Sequence, residues 1–74
     1  MLAKFKALFQ KLDDSLYQRV KAEAFSTVNS DRLRHDNYHY LTRIAKWYTL
    51  RIKNGSDESV ELELMKDNIK TMIW

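Results

Sequence analysis

The spacing of the apolar residues changes near Tyr48, and this change constrains the fold more than any other feature of the 74-residue chain. Before Tyr48, apolar residues recur every three or four positions, which is typical of amphipathic helices. After it, residues 50–53 (Leu-Arg-Ile-Lys) and 60–64 (Val-Glu-Leu-Glu-Leu) alternate strictly between apolar and charged. Because alternation is typical of half-buried strands, the sequence predicts helices followed by strands.

The first predicted helix spans residues 2–26. Its apolar side chains are three or four positions apart and share one face of a helix. They are Leu2, Phe5, Phe9, Leu12, Leu16, Val20 and Ala24. No proline or glycine interrupts the span. The segment 27–30 (Thr-Val-Asn-Ser) contains poor helix formers, so the helix is predicted to end there.

The second predicted helix begins at Ser30 or Asp31, since either side chain can accept a hydrogen bond from a first-turn amide. Its apolar arc of roughly 120° is predicted to face the core. The arc consists of Leu33, Tyr40, Leu41, Ile44, Trp47 and Tyr48. Leu50 would point into the polar face and Arg51 into the apolar face of the same helix. The helix is therefore predicted to end before Leu50.

The predicted fold class is α+β, with two N-terminal helices followed by a small antiparallel β-hairpin or three-stranded meander. Asn54 and Gly55 begin the connection between the first two strands, which suits a hairpin loop. In the hairpin, Arg51 and Lys53 face Glu61 and Glu63 across the strands, and opposite charges stabilise such pairs. Residues 69–74 would supply the third strand, and residues 1–74 are expected to form one domain.

The alternative is an all-α three-helix bundle. In this interpretation Asn54 and Gly55 end the second helix, and Ser56 begins the third with acidic residues in its first turn. The third helix then has an apolar stripe of Leu62, Met65, Ile69 and Met72. Val60 and Leu64 lie outside this stripe, which counts against the bundle.

Size and composition suggest how the chain is stabilised. A domain of 74 residues is small for a single core, and the chain contains no cysteine for a disulfide. Stability must then come from packing, and a homodimer that buries further surface is expected. The sequence shows no cleavable leader and no apolar run long enough to span a bilayer, so the expected compartment is the cytoplasm.

Little in the sequence indicates catalysis. The chain has no cysteine nucleophile and no glycine-rich phosphate loop, so an enzyme is not expected. His35 and His39 are four positions apart and would share a helix face, as a two-histidine metal site requires. No third histidine or cysteine completes the site, and Arg43 and Lys46 add opposing positive charge. Neither a metal ion nor a cofactor is predicted.

The central segment 31–53 is basic, with six cations against two carboxylates, whereas residues 54–74 carry a net charge of −3. Interleaved aromatic residues and cations suit either a protein interface or single-stranded nucleic acid. The candidate binding residues are Arg32, Arg34, Tyr38, His39, Arg43, Lys46 and Trp74. Trp74, at the last position, is predicted either to seal the edge of the domain or to anchor a contact.

The sequence thus favours a small non-enzymatic regulatory or inhibitory protein that binds a macromolecular partner, preferably another protein. Its size and lack of a catalytic set are analogous to small inhibitors carried by phages and plasmids. The alternative is a nucleic-acid-binding regulator that uses residues 31–53. Membrane-surface binding is disfavoured, because acidic residues interrupt the polar face of the first predicted helix.

Overall fold

A computed structural model describes residues 14–73, which form an all-helical bundle. Its helices are α1 (Ser15–Ser26), α2 (Asp31–Asp36), α3 (Tyr38–Lys53) and α4 (Glu58–Ile73). Helices cover 83% of the described residues, and none of these residues is in a strand. Helix α3 packs against both α1 and α4, and α1 also contacts α4.

The predicted α+β fold is wrong, and the all-α alternative describes the chain. Residues 50–53 are the last turn of α3, and residues 60–64 lie in the first half of α4. The two alternating segments are in contact as helices: Arg51 Nε donates to Glu61 Oε1 at 2.5 Å. Of the two charged sets predicted to face each other, Arg51 pairs with Glu61, across two helices instead of two strands. Lys53 pairs instead with Asp14, and Glu63 with Lys66.

The turn between α3 and α4 lies at Asn54 and Gly55, as in the all-α alternative, but Asp57 caps the next helix where the alternative has Ser56. Gly55 has φ of +107°, a left-handed conformation that favours glycine. The amides of Asn54 and Gly55 donate to the carbonyls of Leu50 and Ile52, both at 3.0 Å. Helix α4 is capped by Asp57, whose Oδ1 accepts from the amide of Ser59 at 2.9 Å and from that of Val60 at 3.3 Å.

Substitution of Gly55 should lower the free energy of unfolding, because other residues adopt its positive φ less readily. A Cβ at position 55 would meet no atom within 4 Å, so only backbone strain opposes a larger residue. We expect Gly55→Ala to lower the free energy of unfolding by about 1 kcal/mol. Gly55→Asn should cost less, because asparagine adopts positive φ more readily. Urea denaturation measures both values, and an alanine variant as stable as the wild type would contradict this turn geometry.

The predicted single helix over residues 2–26 is wrong at Asp14. This residue has extended backbone angles, φ −84° and ψ 170°, and its side chain accepts a hydrogen bond from the Tyr17 amide at 2.9 Å. Asp14 is therefore an N-cap, and α1 begins at Ser15. The apolar stripe from Leu2 to Leu12 and the terminal Trp74 lie outside the described residues.

The Asp14 carboxylate also binds the Lys53 ammonium at the end of α3. The Lys53 hydrogen bond, together with the Tyr17 amide, lowers the pKa of Asp14 below its ordinary value of 3.8. A lowered pKa means that this carboxylate stabilises the fold above its unfolded pKa, and that the contribution is lost as the pH falls through the lowered value. We expect Asp14→Ala to lower the Tm at pH 7, and the difference from wild type to shrink in strong acid. A difference independent of pH would contradict this role.

The second predicted helix is divided in two. Its predicted start is confirmed, because Ser30 Oγ accepts from the Leu33 amide at 3.3 Å. Asn37 then ends α2 with φ −111° and ψ 21°, and its Nδ2 donates to the Leu33 carbonyl at 2.8 Å. Helix α3 begins at Tyr38 and continues to Lys53, so the predicted end before Leu50 is also wrong.

The core lies between α1, α3 and α4. Its buried apolar residues are Tyr17, Val20, Ala24, Val28, Leu41, Ala45, Tyr48, Met65 and Ile69. Thr49 is buried as well, and its hydroxyl donates to the Ala45 carbonyl at 2.7 Å. The buried face of α3 is therefore centred on Ala45, so part of the predicted apolar arc of this helix lies outside the core.

Candidate functional site

Tyr40 and Ile44, which are partly buried against the core, and the exposed Trp47 line a groove at the surface of α3. Tyr40, Ile44 and Trp47 are four and three positions apart, so they share one helix face. Together with Arg43 they line a groove of about 260 Å³. Trp47 is 48% exposed, although the sequence predicts it in the core. An exposed tryptophan beside a tyrosine and an arginine has the composition of a protein-binding hot spot.

The charges on α3 are unevenly neutralised. The helix holds four cations and no carboxylate. Arg51 pairs with Glu61 of α4, and Lys53 pairs with Asp14 ahead of α1. Within residues 14–73, no carboxylate pairs with Arg43 or Lys46. These two cations are neighbours at i and i+3; Arg43 lines the groove, and Lys46 lies on the side of Arg43 away from Ile44. We call Tyr40, Arg43, Ile44, Lys46 and Trp47 the α3 patch.

A second exposed surface lies on α4, and its charge is opposite. It consists of Ser59, Val60, Glu63, Leu64 and Asp67, which we call the α4 patch. Val60 is 55% exposed and Leu64 is 44% exposed, so both apolar side chains are unpartnered among the described residues. Glu63 and Asp67 are one helical turn apart, and Glu63 Oε1 also lies 3.9 Å from Lys66 Nζ. The surface therefore joins an apolar centre to an acidic edge.

Three of the predicted binding residues are held in local contacts. Arg34 donates to the Phe25 carbonyl at 3.1 Å and to Asp31 at 2.5 Å, so it ties α2 to α1. Arg32 lies 3.8 Å from Asp36 within α2. The ring of Tyr38 packs on Phe25 with centroids 5.6 Å apart, and the Lys21 ammonium lies 5.9 Å from its centroid. The structure thus gives Arg34 and Tyr38 a packing role.

The remaining predicted residues divide between two locations. Arg43 and Lys46 belong to the α3 patch, as the basic-segment argument predicts. His39 is exposed, with its ring edge-on to that of Tyr38 at 5.8 Å. Among the described residues, no group of three His, Cys, Asp or Glu side chains is placed to hold a metal ion. Trp74 is outside the described part of the chain.

The residues that the sequence analysis missed are apolar. Trp47 is predicted as core but is exposed, and Val60 and Leu64 are predicted as buried strand residues or as misfits in a helix. Tyr40 and Ile44 are also predicted as core, and both are partly buried against it. The position of Val60 and Leu64 outside the main apolar stripe of the helix indicates their exposure, because such residues do not face the core. In the structure, partial burial raises the pKa of the Tyr40 phenol, with a smaller contribution from Tyr48.

Comparison of the chain with protein-family models, with curated protein sequences and with solved structures finds no match. No helix within residues 14–73 is long and apolar enough to cross a membrane. The α3 and α4 patches are the exposed apolar surfaces on which a partner could bind.

Proposed function

We propose that this chain is a small non-enzymatic regulatory or inhibitory protein that acts by binding another protein through the α3 patch. The observation that carries the proposal is the apolar groove lined by Tyr40, Ile44 and Trp47 with Arg43 at its edge. Tryptophan, tyrosine and arginine dominate the binding energy of protein interfaces when a partner removes them from water. The proposed compartment is the cytoplasm, in keeping with a chain that contains no cysteine.

The non-enzymatic character of the proposal rests on the sequence. The chain has no cysteine nucleophile and a single glycine, so a glycine-rich phosphate loop cannot be built. A binding protein needs only a surface whose burial is favourable. The α3 patch supplies one on a regular helix, where packing against α1 and α4 fixes the backbone.

The ion pairs made by the cations of residues 31–53 favour a protein partner over nucleic acid. Nucleic-acid affinity depends on the number of phosphates that free cations neutralise. Of the six cations in residues 31–53, four are engaged by carboxylates, namely Arg32, Arg34, Arg51 and Lys53. Arg43 and Lys46 remain, which is a small phosphate footprint beside an apolar groove. The nucleic-acid alternative would have to use these two cations with Tyr40 and Trp47 as stacking surfaces.

The test is affinity capture from source-cell lysate with the tagged full chain, with and without nuclease. We expect a captured protein that persists after nuclease treatment and is lost when Arg43→Glu and Lys46→Glu are combined. Arg32→Glu is the matched control, because its side chain is 89% exposed on α2 and lies outside the α3 patch. Capture that the patch variant retains would contradict the proposal.

A direct nucleic-acid measurement separates the two classes. We expect random-sequence DNA and RNA to bind more weakly than micromolar at physiological salt. Micromolar or tighter binding that falls steeply with salt and is abolished by the two reversals would support the nucleic-acid alternative instead. Fluorescence anisotropy with labelled oligonucleotides gives both the affinity and its salt dependence.

A further inference from the structure

The α4 patch combines exposed apolar side chains with carboxylates on one side of α4. Val60, Glu63, Leu64 and Asp67 lie within an arc of about 100° on this helix. Val60 is 55% exposed and Leu64 is 44% exposed. Residues 59–67 extend over about 12 Å of the helix axis. A segment that covers this surface therefore needs an apolar stripe of similar length.

The carboxylates of the α4 patch are not fully neutralised within the described part of the chain. Glu63 shares one lysine with Glu23 of α1, because Lys66 Nζ lies 3.9 Å from the Glu63 carboxylate and 3.2 Å from that of Glu23. Asp67 pairs with no cation among residues 14–73. Positive charge on a segment that covers the patch would therefore favour its binding.

The residues ahead of Asp14 have the matching composition. They contain three cations and one carboxylate, that of Asp13. The cations are Lys4, Lys6 and Lys11. The first part of their apolar stripe has spacings of three and four positions, so its side chains share one face of a helix over about 10 Å. These side chains are Leu2, Phe5 and Phe9. The stripe is therefore close in length to the α4 patch.

The chain enters α1 at the end of the molecule where the α4 patch begins. Asp14 meets Lys53 in the last turn of α3, and Arg19 Nη2 lies 3.3 Å from Glu58 Oε1 in the first residue of α4. The α4 patch starts at the next residue. Helix α1 packs on another side of α4, so the chain must cross roughly one helix diameter, about 10 Å, to reach the patch. Residues 10–13 in an extended conformation cover about 13 Å.

From this charge complementarity and the position of Asp14, we infer that residues 2–9 bind the α4 patch of their own chain as an amphipathic helix that runs antiparallel to α4. The apolar stripe covers Val60 and Leu64, and the lysines neutralise the carboxylates at the edge of the patch. The inference goes beyond the proposed function, because it assigns an occupant to the α4 patch and leaves the α3 patch for the partner protein.

Charge and position favour the α4 patch over the groove of the α3 patch. Arg43 lines that groove and pairs with no carboxylate among residues 14–73, so it would repel a segment rich in lysine. Arg43 is also ten positions before Lys53, or about 15 Å along α3 from the end where Asp14 lies. The α4 patch is closer to the start of α1 and has the complementary charge.

Paramagnetic relaxation enhancement in the full chain provides the test. The chain contains no cysteine, so Ala7→Cys gives a single site for a nitroxide label. On a helix this position lies on the side opposite Phe5 and Phe9, so the label leaves the apolar stripe intact. We expect the amide signals of residues 60–67 to broaden more than those of residues 40–47. Stronger broadening of residues 40–47, or no broadening of either range, would overturn the inference.

A mixed sample distinguishes binding within one chain from binding to a second copy. An isotope-labelled chain without nitroxide is mixed with an equal amount of nitroxide-bearing chain at natural isotope abundance. We expect the signals of residues 60–67 to stay sharp in this mixture, because each segment occupies its own chain. Broadening as strong as in the singly prepared sample would overturn the inference by placing the segment on another copy.

Charge reversal in the nitroxide-labelled chain tests the complementarity itself. Glu63→Lys with Asp67→Lys should reduce the broadening of residues 60–67 by more than about half, because lysines would then face lysines. Adding Lys4→Glu with Lys6→Glu should restore it, since opposite charges face each other again. Asp36→Lys on α2 is the control and should leave the broadening unchanged, because its side chain is 55% exposed and lies outside the α4 patch.

Circular dichroism checks the fold of each variant, and Glu63→Gln with Asp67→Asn substitutes for a reversal that fails to fold. A reversed patch that keeps the wild-type broadening would contradict the inference, as would a complete exchange of charges that fails to restore it. Both outcomes leave the proposed function standing, because that proposal depends on the α3 patch.

Discussion

Replacing Ile69 by alanine is expected to lower the free energy of unfolding by about 3 kcal/mol, most of what a small domain possesses. Ile69 is fully buried in the core, and Met65, one turn earlier, is buried with it. Truncation removes apolar contacts and leaves a cavity, because neighbouring helices relax only partly. Urea denaturation followed by circular dichroism at 222 nm measures the loss.

Leu64→Ala in the same helix is the matched control. Leu64 is 44% exposed, so its truncation should change the free energy of unfolding by less than about 1 kcal/mol. A strand over residues 60–64 would bury Leu64 on the same face as Leu62, so Leu64→Ala would then cost about as much as other core truncations. Equal costs at positions 64 and 69 would contradict the helical register of α4.

The largest expected effect on binding is that of Trp47→Ala. We expect this substitution to lower the affinity for the captured protein by about thirtyfold, which is the loss typical of a tryptophan hot spot. The cost in stability should be small, because Trp47 lies beside the core and not within it. Isothermal titration calorimetry on the wild type and the variant measures the affinity difference.

Tyr38→Ala provides the comparison, because Tyr38 and Trp47 are equally exposed at 48%. The Tyr38 ring packs on Phe25, so its removal should cost about 1 kcal/mol of stability, as aromatic pairs do, with partner affinity unchanged. The sequence analysis assigned the opposite roles, with Tyr38 as an anchor and Trp47 in the core. If Tyr38→Ala lost the partner and Trp47→Ala retained it, the original assignment would be correct.

Local signals predict two of the helix ends, one of them only in the all-α alternative. Ser30 starts α2, and Asn54 with Gly55 ends α3, because these features depend on hydrogen bonds and backbone preferences within a few residues. The same kind of signal was overlooked at Asp14 and Asn37. Both residues favour caps and turns, but the regular apolar spacing around them suggested continuous helices.

The local sequence pattern after Tyr48 does not distinguish a strand from a helix. Alternation over four or five residues fits both types of structure when some apolar residues are exposed. In α4, Val60 and Leu64 are exposed and Glu61 is buried against Arg51. Each of these placements depends on contacts with α3, so the amphipathic pattern of the isolated segment is misleading.

The candidate site was predictable in part. Arg43 and Lys46 follow from the basic composition of the central segment, and both belong to the α3 patch. Trp47 is exposed because the face of α3 that α1 and α4 bury is rotated from the predicted apolar arc. The buried face is centred on Ala45, which the arc does not include, and Trp47 lies at the far edge of the arc. That rotation depends on where α4 packs, and the packing position of α4 cannot be deduced from the residues of α3 alone.

The fluorescence of Trp47 tests most directly whether the α3 patch is the binding surface. The chain has two tryptophans, so Trp74→Phe leaves Trp47 as the sole reporter. In the absence of a partner, we expect emission typical of a half-exposed indole and ready quenching by acrylamide. Saturation with the captured protein should shift the emission to the blue and protect the indole from quenching. Emission and quenching that stay unchanged at saturation would contradict binding through the α3 patch.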